Sequence, residues 1–170
     1  MNFITPLLGL LIAVAAAAPV RAEVDVAAAS TDGVRHFNAD EIPTFAINDE
    51  GAVDWPTFSG FRRYHAECHV CHGPDGEGST YAPALKNSAI KMDYYDFVGV
   101  VASGKQEINS SSNQVMPAFA TNPNVMCYLD DIYTYLRARG VEAIPRGRPA
   151  KRVDKSAEYT AAEKACMEGS

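Results

Sequence analysis

The chain has 170 residues, 47% of them hydrophobic, and its 15 Lys and Arg against 21 Asp and Glu give a formal net charge of −6. That length allows one domain with a modest core. The acidic balance argues against a nucleic-acid binder and permits electrostatic steering toward a basic patch on a protein partner.

The amino end predicts export. Met1 to Ala18 is almost wholly apolar or small, and Val20-Arg21-Ala22 closes it in a small-residue pattern, so residues 1–22 read as a signal peptide cut after Ala22. The alternative is a retained anchor, but the apolar run is short for a spanning helix, and no stable membrane anchor is expected after cleavage. Residues 23–54 read as a polar, irregular extension containing Pro43 and the turn Asn48-Asp49-Glu50-Gly51, with Phe37, Ile42, Phe45 and Ile47 as its anchors on the domain. His36, a lone loop histidine, reads as solvent-facing.

Asp54-Trp55-Pro56 opens the first predicted helix, with Asp54 as N-cap and Pro56 in the first turn, where its missing N–H costs nothing. The helix runs to about Glu67. Gly60, Tyr64 and Cys68 recur at i, i+4 and i+8, which puts a gap, an aromatic ring and a thiol on one face. Glycine inside a helix costs about 1 kcal/mol against alanine, so Gly60 predicts close approach by another helix. Trp55, the single tryptophan, reads as a core plug.

Cys68-His69-Val70-Cys71-His72 comes next. Two thiols separated by two residues, with an imidazole directly after the second, form the C-x-x-C-H pattern of covalent haem attachment. Each sulfur adds to a vinyl group, and the histidine then lies beneath the iron. A redox C-x-x-C expects a preceding strand, and a structural zinc site expects a second ligand pair at finger-like spacing. The approach to Cys68 reads as a helix and the next cysteine is Cys127, so zinc and dithiol chemistry remain as the lesser alternatives. His65 and His69 read as surface or spacer residues. The loop Gly73 to Gly78 is turn-rich, with Asp75 and Glu77 read as turn residues too few for a calcium cage. Its continuation supplies Pro83, whose carbonyl is the candidate acceptor for the second ring nitrogen of His72.

A second helix starts at Asp93 with Asp96 as its capping-box partner, buries Tyr94, Phe97, Val98 and Val101, and stops at Gly104. A loop rich in Ser and Asn runs from Lys105 to Gln114 and ends at Val115-Met116-Pro117. Met116, a thioether on a proline-bounded loop, is the candidate sixth iron ligand; Met92, Met126 and an open site are the alternatives. A third helix runs from Pro123 to about Arg139 with an apolar side at Val125, Leu129, Ile132, Tyr135 and Leu136, and Tyr135 is expected to fill the notch at Gly60. After Gly140 the prolines forbid regular structure, and Arg146, Arg148, Lys151 and Arg152 read as a solvated basic strap. A short helix from Thr160, with Glu163 completing a capping box, carries Cys166. In an exported protein Cys127 and Cys166 are expected to pair; a reactive thiol or an extra metal ligand at Cys166 is the alternative.

Gly60, Tyr64, Cys68, Cys71, His72, Pro83, Met116-Pro117 and the Ile132/Tyr135 helix, in that order, make residues 55–139 resemble a class I cytochrome c. The resemblance implies a mostly α fold, three or more helices around one covalent haem c with His72 and Met116 as axial ligands, flanked by irregular extensions at 23–54 and 140–170. The runs Gly60-Phe61-Arg62-Arg63-Tyr64-His65-Ala66-Glu67-Cys68 and Cys127 to Arg139, with the late Cys166, are similar to the four-cysteine, methanol-metabolism-related c-type cytochromes. That narrower resemblance implies a periplasmic single-electron carrier. Its donor is a pyrroloquinoline-quinone methanol or alcohol dehydrogenase, notably the lanthanide-dependent type, and its acceptor a downstream c-type cytochrome or oxidase. No residue is read as catalytic. A haem subunit of a larger redox complex, and a haem enzyme or gas sensor with a labile sixth ligand, are the competing functions.

Overall fold

A computed structural model describes residues 25–108 and 113–169. The leader expected at 1–22 lies outside the described residues. The framework starts where Asp54 accepts the Thr57 N–H at 3.1 Å and so caps α1, Trp55–Glu67. A four-residue helix α2, His69–His72, and a 3-10 turn, Pro74–Gly76, follow directly. Next come α3, Leu85–Lys91, and α4, Tyr94–Ser103, where Asp93 accepts from the N–H groups of Tyr95 and Asp96. After the chain between α4 and residue 123 come α5, Pro123–Met126, and α6, Leu129–Gly140. The last helix is α7, Ala157–Gly169.

The core forms where α1 crosses α6. A Cβ on Gly60 would stand 1.9 Å from the Asp131 carbonyl oxygen and 2.8 Å from Tyr135 Cβ, so only glycine permits this approach. Tyr64 and Tyr135 are fully buried with ring centroids 5.7 Å apart. Ile132 and Leu136 are buried beside them, each contributing about 1.5–3 kcal/mol through apolar area removed from water. α3 packs on the same helix, with Leu85 and Ala89 inward.

Several elements differ from the sequence expectations. The extension is not wholly irregular: β1 (Ser30–Thr31), β2 (His36–Phe37) and β3 (Pro43–Thr44) form an antiparallel meander that rests on α6. Two-residue strands are too short to show alternation in sequence. The loop expected from Lys105 to Gln114 contains a β-hairpin, β4 (Lys105–Ile108) with β5 (Asn113–Met116). The helix expected from Pro123 to Arg139 breaks at Cys127-Tyr128, where Tyr128 leaves helical geometry at φ −123, ψ 13. Its ring there lies under the Arg63 guanidinium, 3.5 Å from the centroid, and its hydroxyl donates to Glu163 at 2.8 Å. α3 leaves little trace in the sequence, because only two of its seven positions are buried. α7 starts three residues before Thr160, and its cap is Ser156, whose hydroxyl accepts the Tyr159 N–H at 3.0 Å.

The strap at 141–156 is exposed at its basic side chains, as expected, but it is also fastened to the domain. Ile144 is buried, Val53 and Arg152 form a parallel bridge, and Arg148 and Arg152 lie over the Phe58 ring. No helix among the described residues is long and apolar enough to cross a membrane.

Candidate functional site

Cys68 is the hinge between α1 and α2. Its N–H still donates to Tyr64 O at 2.9 Å, and its carbonyl takes the His72 N–H at 3.0 Å, so one turn carries both thiols and the imidazole. Gly73 ends that turn at φ +72, and a Cβ there would stand 2.1 Å from Gly78 O. The reversal lets the Gly78 N–H donate to His72 O at 2.8 Å.

Cys68 is half-buried and Cys71 exposed, and neither is in a disulfide. Burial, with the nearby Glu67 and Cys71 charges, pushes the Cys68 thiol up to about 12. His72 is 7% exposed and its Nδ1 lies 2.9 Å from Pro83 O. A carbonyl only accepts, so Nδ1 carries the proton and the Nε2 lone pair is left for a metal. Burial holds the imidazole below its ordinary value, outweighing the opposing effect of the Pro83 hydrogen bond. The ring is therefore neutral at physiological pH, the form a metal requires.

The loop behind His72 is held by buried polar groups. Tyr64 Oη donates to Gly73 O at 2.6 Å and approaches His72 O at 3.2 Å. Asp75 and Glu77, read from sequence as turn residues, are anchors. Asp75 is buried and accepts from Gly147 N at 3.0 Å, Tyr135 Oη at 3.2 Å and Arg146 Nε at 3.4 Å, with His65 Nε2 at 3.5 Å. Burial works to raise its pKa, but these hydrogen bonds carry it below the ordinary carboxylate value. Glu77 pairs with Lys86 at 2.7 Å and Arg139 at 2.8 Å, which lower it as well.

Met116 ends β5, paired with Lys105, and packs partly buried against the core. Its neighbour Val115, on the opposite face of the strand, is exposed. The segment after it is fixed to the end of α4 by Phe119 N–H to Val101 O at 3.1 Å and Ala120 N–H to Ala102 O at 3.1 Å. Of the competing methionines, Met92 is exposed, and Met126 lines a cavity with Arg35, Tyr159 and the Cys127–Cys166 disulfide. The structure thus brings His72 and Pro83 into contact, while Met116 reaches the core from a separate element.

The other histidines are not free in solvent. His36 Nε2 lies 4.0 Å from Asp54 Oδ2. His65 Nδ1 donates to Phe61 O at 2.8 Å, and His65 stacks among Phe61, Tyr64, His69 and Tyr135. Sequence reading also missed a buried cluster at the α1–α6 crossing. Asp131, with no exposed surface, accepts from Arg35 Nε at 3.0 Å and from Tyr159 Oη, which also meets Ser59 Oγ at 2.9 Å. The four residues come from four distant segments, so no local spacing signals them.

Among the described residues no three His, Cys, Asp or Glu side chains converge as a metal-ion site. Two thiols outside any disulfide, on the turn that ends in a neutral, oriented imidazole, fit a macrocycle that brings its own iron ligation and accepts two thioether bonds.

No protein-family model matches the chain. It is 67% identical over 135 residues to cytochrome c-553I of Paracoccus denitrificans, a match covering 79% of this chain and 60% of that protein. The chain therefore spans less than two thirds of that relative's length. It is 36% identical over 100 residues to cytochrome c-555 of Methylococcus capsulatus (strain ATCC 33009 / NCIMB 11132 / Bath), covering 58% of this chain and 75% of that one. The crystal structure of the c-type cytochrome XoxG from Methylobacterium extorquens AM1 matches with a TM-score of 0.77 and 54% identity, over 84% of this chain and 87% of that one.

Proposed function

Since the chain belongs to the c-type cytochromes, with the class I fold and a covalent haem c, we propose that it carries single electrons in the periplasm from a pyrroloquinoline-quinone methanol or alcohol dehydrogenase to a downstream c-type cytochrome or oxidase. Like its relatives it is an electron-transfer protein, not an enzyme. Cys68 and Cys71 would provide the thioether bonds and His72 Nε2 and the Met116 sulfur would hold the iron, while Pro83 O accepts from the other ring nitrogen of His72. When bound, the haem supplies a one-electron ferric/ferrous couple, and a His/Met pair raises its potential. The protein holds the imidazole neutral and oriented, excludes water from it, and keeps Met116 on a hairpin anchored to α4.

The observation that carries the reading is His72, 7% exposed with Nδ1 on Pro83 O, on the same turn as two thiols outside any disulfide. The methanol assignment is supported by the likeness to XoxG and by the second cysteine pair, Cys127 and Cys166. That pair also suits an exported protein. The test is stopped-flow reduction of the ferric protein by methanol-reduced dehydrogenase at low and high salt. Fast, salt-dependent reduction is expected, with a sulfur-to-iron charge-transfer band that Met116→Ala abolishes. A normal His/Met spectrum without reduction would remove the donor. A high-spin spectrum that binds carbon monoxide would favour an enzyme or sensor.

A further inference from the structure

Although the molecule is acidic, its cations are unevenly placed. The ten residues Arg146–Lys155 hold five of the 15 Lys and Arg and one of the 21 Asp and Glu. Arg146 and Lys155 are engaged with Asp75 and Glu163. Arg148, Lys151 and Arg152 are all exposed, and among the described residues no carboxylate lies within ion-pair distance of any of them.

These three side chains are nevertheless fixed. The Arg148 guanidinium carbon is 5.0 Å from the Phe58 ring centroid and that of Arg152 is 4.7 Å from the same centroid. Arg152 is also 5.5 Å from the centroid of Trp55. Lys151 Nζ donates to Glu50 O at 2.9 Å, and the backbone between them is tied to Val53 through Val53 N to Lys151 O and Val153 N to Val53 O. Two guanidiniums over one buried ring repel one another without a shared anion. Held on aromatic surface, they lose little freedom on binding, and a planar fork matches a carboxylate.

We propose that Arg148, Lys151 and Arg152 form a docking surface for an acidic protein, which on the electron-carrier reading is one of the redox partners. A protein surface fits better than a lipid one. The only exposed large apolar side chain in the run is Val153, which offers little to insert, and the rest of this acidic chain would be repelled by an anionic leaflet. Net charge alone points the opposite way, toward a basic partner.

The test uses the holo-protein and poly-L-glutamate, standing for carboxylates on a protein surface, in calorimetric titrations at low and physiological salt. Binding is expected to weaken with salt, and to fall by about tenfold or more in Arg148→Glu combined with Lys151→Glu. Lys91→Glu, at an exposed cation ending α3, is expected to bind like the parent. Lys151→Glu alone leaves both ring-stacked guanidiniums in place, so a weakened titration with an unchanged haem spectrum separates docking from folding. No binding by the parent, equal binding by the strap and Lys91 variants, or capture by phosphatidylglycerol vesicles but not by polyglutamate would overturn the proposal. Failure of the dehydrogenase to reduce the protein, with polyglutamate binding intact, would remove the donor and leave the strap.

Discussion

Gly60 and Asp131 meet at the same point, and each makes a separate demand on it. In Gly60→Ala the new methyl would collide with the Asp131 carbonyl, which is backbone and cannot swing away. The helices must separate, and a loss of about 1–3 kcal/mol is expected in denaturant unfolding of the holo-protein. Asp131 is pushed up to about 6, first by burial and against the pull of Arg35 and Tyr159. The unfolded chain releases this proton near pH 4. Between those values the folded protein holds a proton that the unfolded chain has lost, so this group's contribution to stability declines as pH rises from about 4 to about 6. Asp131→Asn should remove that decline. Urea unfolding of both proteins from pH 4 to 7 checks it, and a pH-independent difference between them would sink the assignment. Tyr64→Phe deletes the hydroxyl that holds Gly73 O and leaves a buried carbonyl unpaired. The expected cost is about 1–3 kcal/mol, with the haem spectrum unchanged.

At the scale of elements, α7 is the weakly fastened one. Tyr159 is its single buried residue, and beyond that it is held by Glu163, which takes Tyr128 and Lys155, and by the disulfide to α5. The bond closes a separation of 39 residues, for which the chain-entropy estimate is about 4 kcal/mol. In a double variant, Cys127→Ser with Cys166→Ser, the thermal midpoint should fall and the amides of α7 should exchange faster. The α1–α6 crossing and the haem spectrum should not change. Loss of the haem signal in this variant would show instead that α7 supports the core. The hairpin β4–β5 is of another kind: its outer face is exposed, and Met116 is fixed mainly through the chain that follows it onto α4.

Across the whole molecule, the carboxylates with lowered values lie where segments are joined: Asp75 joins the strap to the turn after His72, Glu77 joins that turn to α3 and α6, and Glu163 joins α7 to Tyr128 and Lys155. For these groups the sign is the reverse of that for Asp131. Their folded-state values lie below the ordinary ones, so their stabilisation is complete above the usual carboxylate range and is lost as pH falls below about 4. Acid should therefore loosen the strap, and Asp75→Asn should flatten the acid limb of a thermal-midpoint profile; an unchanged limb would exclude this carboxylate as the cause. What rests on local chemistry could be read from the residues alone. The Asp54 cap, the C-x-x-C-H turn, the glycine at the helix crossing and the period of α6 each lie within a few residues, and backbone geometry allows them few arrangements. The Pro83 carbonyl, which does meet His72 Nδ1, was legible because a histidine that offers one nitrogen to a metal donates the other N–H, and the loop carrying Pro83 follows that turn directly. Long-range packing, by contrast, makes Asp75 an anchor, brings Asp131 to Arg35, Ser59 and Tyr159, interrupts the helix at Tyr128, and lays the basic strap on Phe58 and Trp55. Those outcomes depend on which distant surfaces are buried together, and burial changes the energy of a charge or a ring by more than any local preference does.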